Sequence, residues 1–336
     1  MKNTILQLSS SRIFSDKAFL CDVLCFFAGA QSGQVDMHCY SEPKHKDDLV
    51  CGGGLWERFV NAHEAYYLFC DDPVLIQQNT PLLAELCGNA RLFVDLGPGS
   101  LEAFEKKTLP ILQAVVPVRY EALDLNEHFL RDVVSCLHKR YPFTKACYRV
   151  ANFFEEMLPL EENSLIFLSG STISNIKADL RFETATINLT KALAHFGDAL
   201  IEGGYFVFTY DSNQDEDSIR RSYDHPAMAA HNTNFIQLVR RELPTEGLCE
   251  EDFMHVTEWV PENHLLKQLL VLKRDVSFGV AGHRFDLEAG TKLHVTNCFK
   301  FTDDLIRDAA RAAGFTKTHI CTLENSPMRM AILEKK

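Results

Sequence analysis

From residue 91 onward, short apolar runs alternate with longer stretches whose apolar residues recur at helical spacing. RLFVDLG (91–97), RYEALDL (119–125), CYRVANF (147–153), SLIFLSG (164–170) and GGYFVFTYD (203–211) read as strands. Residues 101–116, 127–140 and 178–198 read as helices. Strands separated by helices of this length imply a parallel sheet with right-handed crossovers, an α/β fold wound on both faces. DDLIRDAARAAGF (303–315) predicts an amphipathic helix with Gly314 as its C-cap, and THICTLE (318–324) and MRMAILEK (328–335) predict a terminal hairpin on that sheet.

Residues 212–300 follow another pattern. The polar, acidic link DSNQDEDS (211–218) leads to a helix expected at about 227–242. HVTEWV (255–260), LLKQLLVLKRDVSF (265–278) and KLHVTNCFKF (292–301) then read as antiparallel strands. The expected organisation is a second α+β lobe made of residues 1–70 and 212–300. It sits beside an α/β core made of 71–211 and 301–336.

Bulk properties narrow the partners. The 336 residues carry a net charge of −12, and such a surface repels phosphate backbones and anionic lipid, so neither nucleic acid nor membrane is an expected partner. No stretch reaches the roughly 18 to 20 apolar residues of a membrane helix. MKNTILQLSSSRIF (1–14) lacks the apolar core and cleavage site of a secretory signal, so a cytoplasmic location is expected. The 11 cysteines are scattered and form no C-x-x-C pair, which points to reduced, mostly buried thiols and to no metal site.

The candidate chemistry sits at the C-terminal ends of the predicted strands, where doubly wound sheets bind ligands. Asp95-Leu96-Gly97-Pro98-Gly99-Ser100 ends the first strand and leads directly into a helix. Glycines there allow a positive φ and a close backbone approach to a ligand. The third glycine of a dinucleotide fingerprint is missing, which argues against pyrophosphate and a dehydrogenase. An acidic residue before G-x-G instead suits a cationic ligand, as in the acidic-x-G-x-G pattern of S-adenosylmethionine (SAM) methyltransferases. Asp124, at the tip of the second strand, is a candidate acceptor for ribose hydroxyls, although an exposed strand-end charge is the plain alternative. Asn152 and Phe153 end the third strand. They suit the edge and face of an adenine, with core packing as the alternative for the ring.

Several further segments, in order, resemble the histidine-specific Nα-methyltransferases. FLSGSTISN (167–175) resembles that family's F-L-G-S-T-I-G-N signature, and HEAYY (63–67) its P-E-Y-Y segment. SYDHPAMAAHNTNFIQLVRREL (222–243) and NCFKF (297–301) resemble two later segments. The resemblance implies a class I SAM-dependent methyltransferase fold, Rossmann-like, with SAM as cofactor. It implies that Asp95, Gly97, Gly99, Ser100, Asp124, Asn152 and Phe153 hold the cofactor. It further implies that Tyr66, Gly170, Asn175 and Tyr223 hold the α-amino and carboxylate groups of an amino acid acceptor. Tyr66, Asn175 and Tyr223 then orient the substrate for catalysis, with tyrosine hydroxyls and the asparagine amide donating to the carboxylate.

The departures concern specificity. Thr296 and Cys298 stand where the family has the glutamate and serine that grip the imidazole ring. His294, Asn297 and Glu258 are the nearby polar residues that could compensate. The family's lysine soon after the SAM loop has no counterpart at the same spacing, Lys106 and Lys107 lying further on. The expected activity is SAM-dependent N-methylation of the α-amino group of a free amino acid, histidine or a histidine-like or aromatic one. A methyltransferase for a different amino acid-derived amine and a catalytically degenerate SAM-fold binding protein remain the alternatives.

Overall fold

The computed structural model describes residues 16–29, 35, 37–40, 52–141, 144–157, 159–160, 162–178 and 183–336. The N-terminal stretch read for a secretory signal lies outside these, as do residues 179–182 of the helix expected from 178. Before the first strand come α1 (Asp16–Phe27), α2 (Met37–Tyr40), α3 (Gly52–Ala62), α4 (Tyr67–Gln78) and α5 (Thr80–Cys87).

The core then alternates as its hydrophobic pattern requires: β1 (Leu92–Leu96), α6 (Leu101–Val115), β2 (Arg119–Asp124), α7 (Glu127–Arg140), β3 (Lys145–Val150), β4 (Ser164–Leu168), α8 (Ala185–Ala199) and β5 (Tyr205–Asp211). Every residue of β1, β4 and β5 is buried, because helices cover both faces of the sheet. The helices start where side chains can cap them. Ser100 Oγ accepts from the Ala103 amide and Asn126 Oδ1 from the His128 amide. The helix expected from 178 starts later, at Ala185, because Thr184 caps it by accepting from the Ile187 amide.

The second lobe holds α9 (Glu216–Tyr223), α10 (Pro226–Glu242), β6 (Thr245–Glu246), β7 (Phe253–Val260), β8 (Leu265–Leu272), β9 (Val276–Val280), β10 (His283–Leu287) and β11 (Lys292–Phe299). The acidic link was expected to be irregular, yet from Glu216 it is helix α9: Asp215 caps it, and Glu216 and Asp217 lie in its first turn, where acidic charge favours a helix. The single apolar run 265–278 is two strands in two different sheets, ordered β11-β8-β7 and β10-β9-β6. The chain closes with α11 (Asp303–Ala312), β12 (Phe315–Thr322) and β13 (Met328–Lys335).

The main sheet has seven strands in the order β12-β13-β5-β4-β1-β2-β3. β1 to β5 pair in parallel, and β13 inserts antiparallel between β5 and β12, so the terminal hairpin is where the pattern placed it. The order reverses between β1 and β4, which puts the ends of β1, β2 and β4 on one rim. α4 packs on α6 and β13, while α3 packs on α10, so the N-terminal helices touch both the core and the lobe. Among the described residues no helix is long and apolar enough to cross a membrane. Three of the nine described free cysteines, Cys21, Cys25 and Cys70, are exposed and four are buried, so the thiols are less uniformly interior than expected.

Phe206 tests the core packing. It is fully buried on β5, with ring centroids 4.7 Å from Phe196 and 5.0 Å from Phe208. Phe206→Ala is expected to lower unfolding stability by about 3–5 kcal/mol in a urea titration. A loss below about 1 kcal/mol would show that this cluster does not support the sheet.

Candidate functional site

The rim where the sheet order reverses opens into a cavity of about 240 Å³, far larger than a single water needs. At one end lie Gly97, Pro98, Gly99 and Ser100 after β1, Asp124 at the tip of β2, and Asn152 and Phe153 after β3. Gly97 and Gly99 both have positive φ, at 67° and 68°. A Cβ on Gly97 would sit 3.6 Å from the Phe153 ring, so the glycine keeps the gap over that ring open.

Asp124 is half-buried and faces the cavity. Burial pushes its carboxyl up to about 6, against backbone N–H groups of Asn126, Gly99 and Leu125 that favour its charged form. The Asn126 amide donates to Asp124 Oδ1 at 2.9 Å. Asn152 accepts from the Phe154 amide through Oδ1, at 3.2 Å, which identifies Nδ2 as its donor.

Asp95 is a correction. It does not line the cavity. Its carboxylate is buried and turned inward, accepting from Tyr120 Oη at 2.7 Å. Burial pushes it up to about 7, against hydrogen bonds from Tyr120 and Thr108. Its place is to anchor the end of β1 beneath the glycine turn.

Lysine reaches the cavity by another route than the expected spacing. Lys106 turns outward to Glu102, at 2.6 Å. Lys107, one position on, lines the cavity and pairs with the buried Asp72 on α4, at 3.0 Å. Asp72 Oδ2 also accepts the Gly170 amide at 2.9 Å. Gly170 therefore stands at the cavity with its N–H already spent, and only its carbonyl can serve a ligand.

At the other end Tyr66, Tyr223, Asn175, Thr296 and Cys298 line the same cavity, with Trp56, Asn232 and Gln268 beside them; Glu57 is also on its wall. The Tyr66 and Tyr223 rings meet edge to face, with centroids 5.6 Å apart, and burial pushes both hydroxyls far above the ordinary tyrosine range. Both remain protonated donors, unable to act as bases near neutral pH. Asn175 differs from expectation: its Nδ2 donates to the Asn297 carbonyl at 2.6 Å and to Cys298 Sγ at 3.6 Å. These N–H groups fasten the 3-10 turn Thr172–Asn175 to β11 and are not available to a carboxylate.

The Thr296–Cys298 end of the cavity has a neutral floor. Asn232 Nδ2 donates to Gln268 Oε1 at 2.6 Å, and Gln268 Nε2 to Cys298 Sγ at 3.1 Å. A bulge between His294 and Thr296 resets the β8–β11 register there, and Thr296 and Cys298 both face the cavity. The three expected compensators are elsewhere. Glu258 pairs with Lys292 on the outer side, His294 turns back to the Thr296 carbonyl at 3.1 Å, and Asn297 donates to the Ile176 carbonyl at 3.0 Å. His231 also lines this end, and burial lowers it to about 4, so it is neutral at pH 7.

Behind Tyr223 lies a group that sequence reasoning passed over. Lys300 Nζ donates to Asp211 Oδ2 at 2.6 Å and to Tyr223 Oη at 3.1 Å, and both ion-pair partners are fully buried. The signal was present, since Lys300 sits inside CFKF, Gln268 inside LLKQLLVL, and Asp211 at the end of the mostly apolar run YFVFTYD. A polar residue within an otherwise buried run has a partner or a task.

A profile of the SAM-dependent histidine-specific methyltransferases matches residues 50–335. Among curated relatives, the N-methyltransferase imqF of Aspergillus flavus is 21% identical over 281 residues, covering 78% of this chain and 72% of that one. The N-methyltransferase fsqC of Aspergillus fumigatus is 21% identical over 277 residues, covering 78% and 71%. Solved structures matched at low similarity include a SAM-dependent methyltransferase of Clostridium acetobutylicum, at 12% identity and a TM-score of 0.44, covering 84% of this chain and 96% of that one. The profile spans most of the sequence and takes in both ends of the cavity. The chain belongs to the SAM-dependent histidine-specific methyltransferase family.

Proposed function

We propose that the protein transfers a methyl group from SAM to the α-amino nitrogen of a free amino acid, histidine or a related ring-bearing one. The observation that carries this is the continuity of one cavity from the Gly97–Asp124 rim to Tyr66 and Tyr223. The names of the two fungal relatives, both N-methyltransferases, favour nitrogen as the acceptor atom. In this reading the core of 71–211 and 301–336 holds the cofactor, and the lobe of 1–70 and 212–300 recognises the acceptor.

The residues present fit SAM. Asp124 accepts from ribose hydroxyls, Asn152 and Phe153 meet the adenine, and Lys107 is the cation for the methionyl carboxylate. Bound SAM supplies an electrophilic methyl on a positively charged sulfur. The chain does the positioning. Tyr66 and Tyr223 donate to the acceptor's carboxylate. The Asn175 Oδ1 and Gly170 carbonyl oxygens accept from its amine N–H groups and so orient the nitrogen lone pair. The largely apolar enclosure disfavours an ammonium and delivers the amine uncharged. Most of the rate enhancement then comes from holding nitrogen and methyl in line.

A screen of free amino acids and their decarboxylated amines with SAM, read by product mass, tests the acceptor class. A site built to hydrogen-bond a carboxylate rejects the analogue lacking it, by about 100-fold or more in kcat/KM. Equal kcat/KM for an amino acid and its amine would overturn the assignment.

Cofactor affinity should depend on pH through Asp124. In the free protein its pKa is raised to about 6, while ribose hydroxyls donating to it favour the carboxylate. Affinity should therefore be flat above about pH 7 and fall below pH 6 by up to about tenfold per unit. Asp124→Asn should bind weakly with no such fall, which separates this titration from that of Asp95. Calorimetry at pH 5 and pH 8 decides it; equal affinities for the native chain would remove Asp124 from the site.

Specificity should follow Thr296 and Cys298. Thr296→Glu with Cys298→Ser adds a charged acceptor for an imidazole N–H, worth about 1.5–3 kcal/mol, or roughly 10- to 150-fold in kcat/KM for histidine. A native chain that already trimethylates histidine well, and a double variant that does so worse, would place the ring grip elsewhere. Glu57 is then the next carboxylate on the cavity wall.

A further inference from the structure

We infer that Lys300 is a positioning residue: it fixes which way the Tyr223 hydroxyl donates, so that the acceptor end takes a carboxylate and refuses a carboxamide. This rests on the amino acid reading above. Lys300 does not line the cavity and is fully buried behind it.

The geometry leaves little freedom. An ammonium has no lone pair, so in the 3.1 Å contact the Tyr223 oxygen accepts and its proton must point elsewhere. Lys300 is held in this contact by Asp211, whose Oδ2 also accepts Tyr67 Oη at 2.6 Å and whose Oδ1 accepts the Asn213 amide at 2.9 Å. Asn213 Nδ2 in turn donates to Tyr67 Oη at 3.0 Å. Three donors thus hold the carboxylate, and none of them is the Tyr223 hydroxyl.

The Tyr223 proton, turned away from Lys300, is left for the cavity that Tyr223 lines. Tyr66 lines the same wall, its ring edge-on to that of Tyr223 with centroids 5.6 Å apart. The ammonium behind Tyr223 also strengthens that outward donor. A carboxylate oxygen satisfies it. A carboxamide brings N–H groups to the same wall and leaves them short of acceptors, at the cost of unpaired buried donors.

Without the ammonium, the Tyr223 proton is free to turn back toward residue 211. Its oxygen then faces the cavity as an acceptor. Lys300 therefore acts on the choice of acceptor, and only indirectly on turnover.

The test compares kcat/KM for an amino acid with that for its primary amide. Lys300→Met combined with Asp211→Asn removes both charges, so neither is stranded in the interior. The native chain should favour the acid by about 100-fold or more, and the double variant should reduce that ratio at least about tenfold. The change should fall mainly in KM, with SAM affinity measured by calorimetry held within about twofold. An unchanged ratio in a folded double variant overturns the role. Should that variant fail to fold, Tyr223→Phe asks the same question with the ion pair intact: a ratio within about twofold of native overturns it. A native chain that methylates neither compound overturns the acceptor reading, and this role with it.

Discussion

A lysine ammonium and an aspartate carboxylate, both without solvent access, join the two halves of this protein. Asp211 ends β5 in the core sheet, and Lys300 directly follows β11 of the lobe. Tyr67, the first residue of α4, closes on the same carboxylate oxygen. Three segments far apart in sequence thus meet at one buried charge pair. Removing either partner alone leaves an uncompensated interior charge, typically costing about 3–5 kcal/mol. The relative placement of sheet, lobe and N-terminal helices therefore depends on this contact. So does the Tyr223 hydroxyl, and with it the shape of the acceptor end.

The same logic of balanced charge runs through the rest of the cavity. Its charged lining residues among those described are Glu57, Lys107 and Asp124. Lys107 is offset by Asp72 behind it, as Lys300 is offset by Asp211. His231 is held neutral by burial. The lining is thus weighted toward negative charge, which suits a sulfonium.

How much of this could be read from the chain depended on how local the signal was. β1 to β5 were legible because strands covered on both faces become continuous apolar runs. The glycine turn, Asp124 and Phe153 were legible because strand ends have a fixed place in such sheets. Asp95 was misplaced because sequence does not say which side of a strand end a carboxylate faces; Tyr120, 25 residues on, decides it. α9 was missed because its composition reads as a polar link until Asp215 is seen as a cap. Lys107 was discounted because spacing was counted from the loop, whereas its side chain is placed by Asp72 on another helix. Lys300 and Gln268 were visible as polar residues in apolar strands, but their partners lie 89 and 36 residues away.

The Thr296–Cys298 end of the cavity is shaped by a local change within a regular strand frame. Only one local irregularity is involved: the register break between His294 and Thr296. It lets alternate residues, Thr296 and Cys298, face the cavity at the end of a strand that otherwise pairs regularly with β8. The chain Asn232 to Gln268 to Cys298 then carries hydrogen bonds across the floor through neutral groups alone. A neutral floor loses the charge-assisted grip on an imidazole N–H. It also avoids burying a carboxylate that would need such a donor to be satisfied. The Tyr223 wall of the cavity and this floor are therefore separable. The first is fixed by a buried charge pair that ties the fold together. The second consists of uncharged side chains on β8, α10 and β11, whose exchange strands no charge.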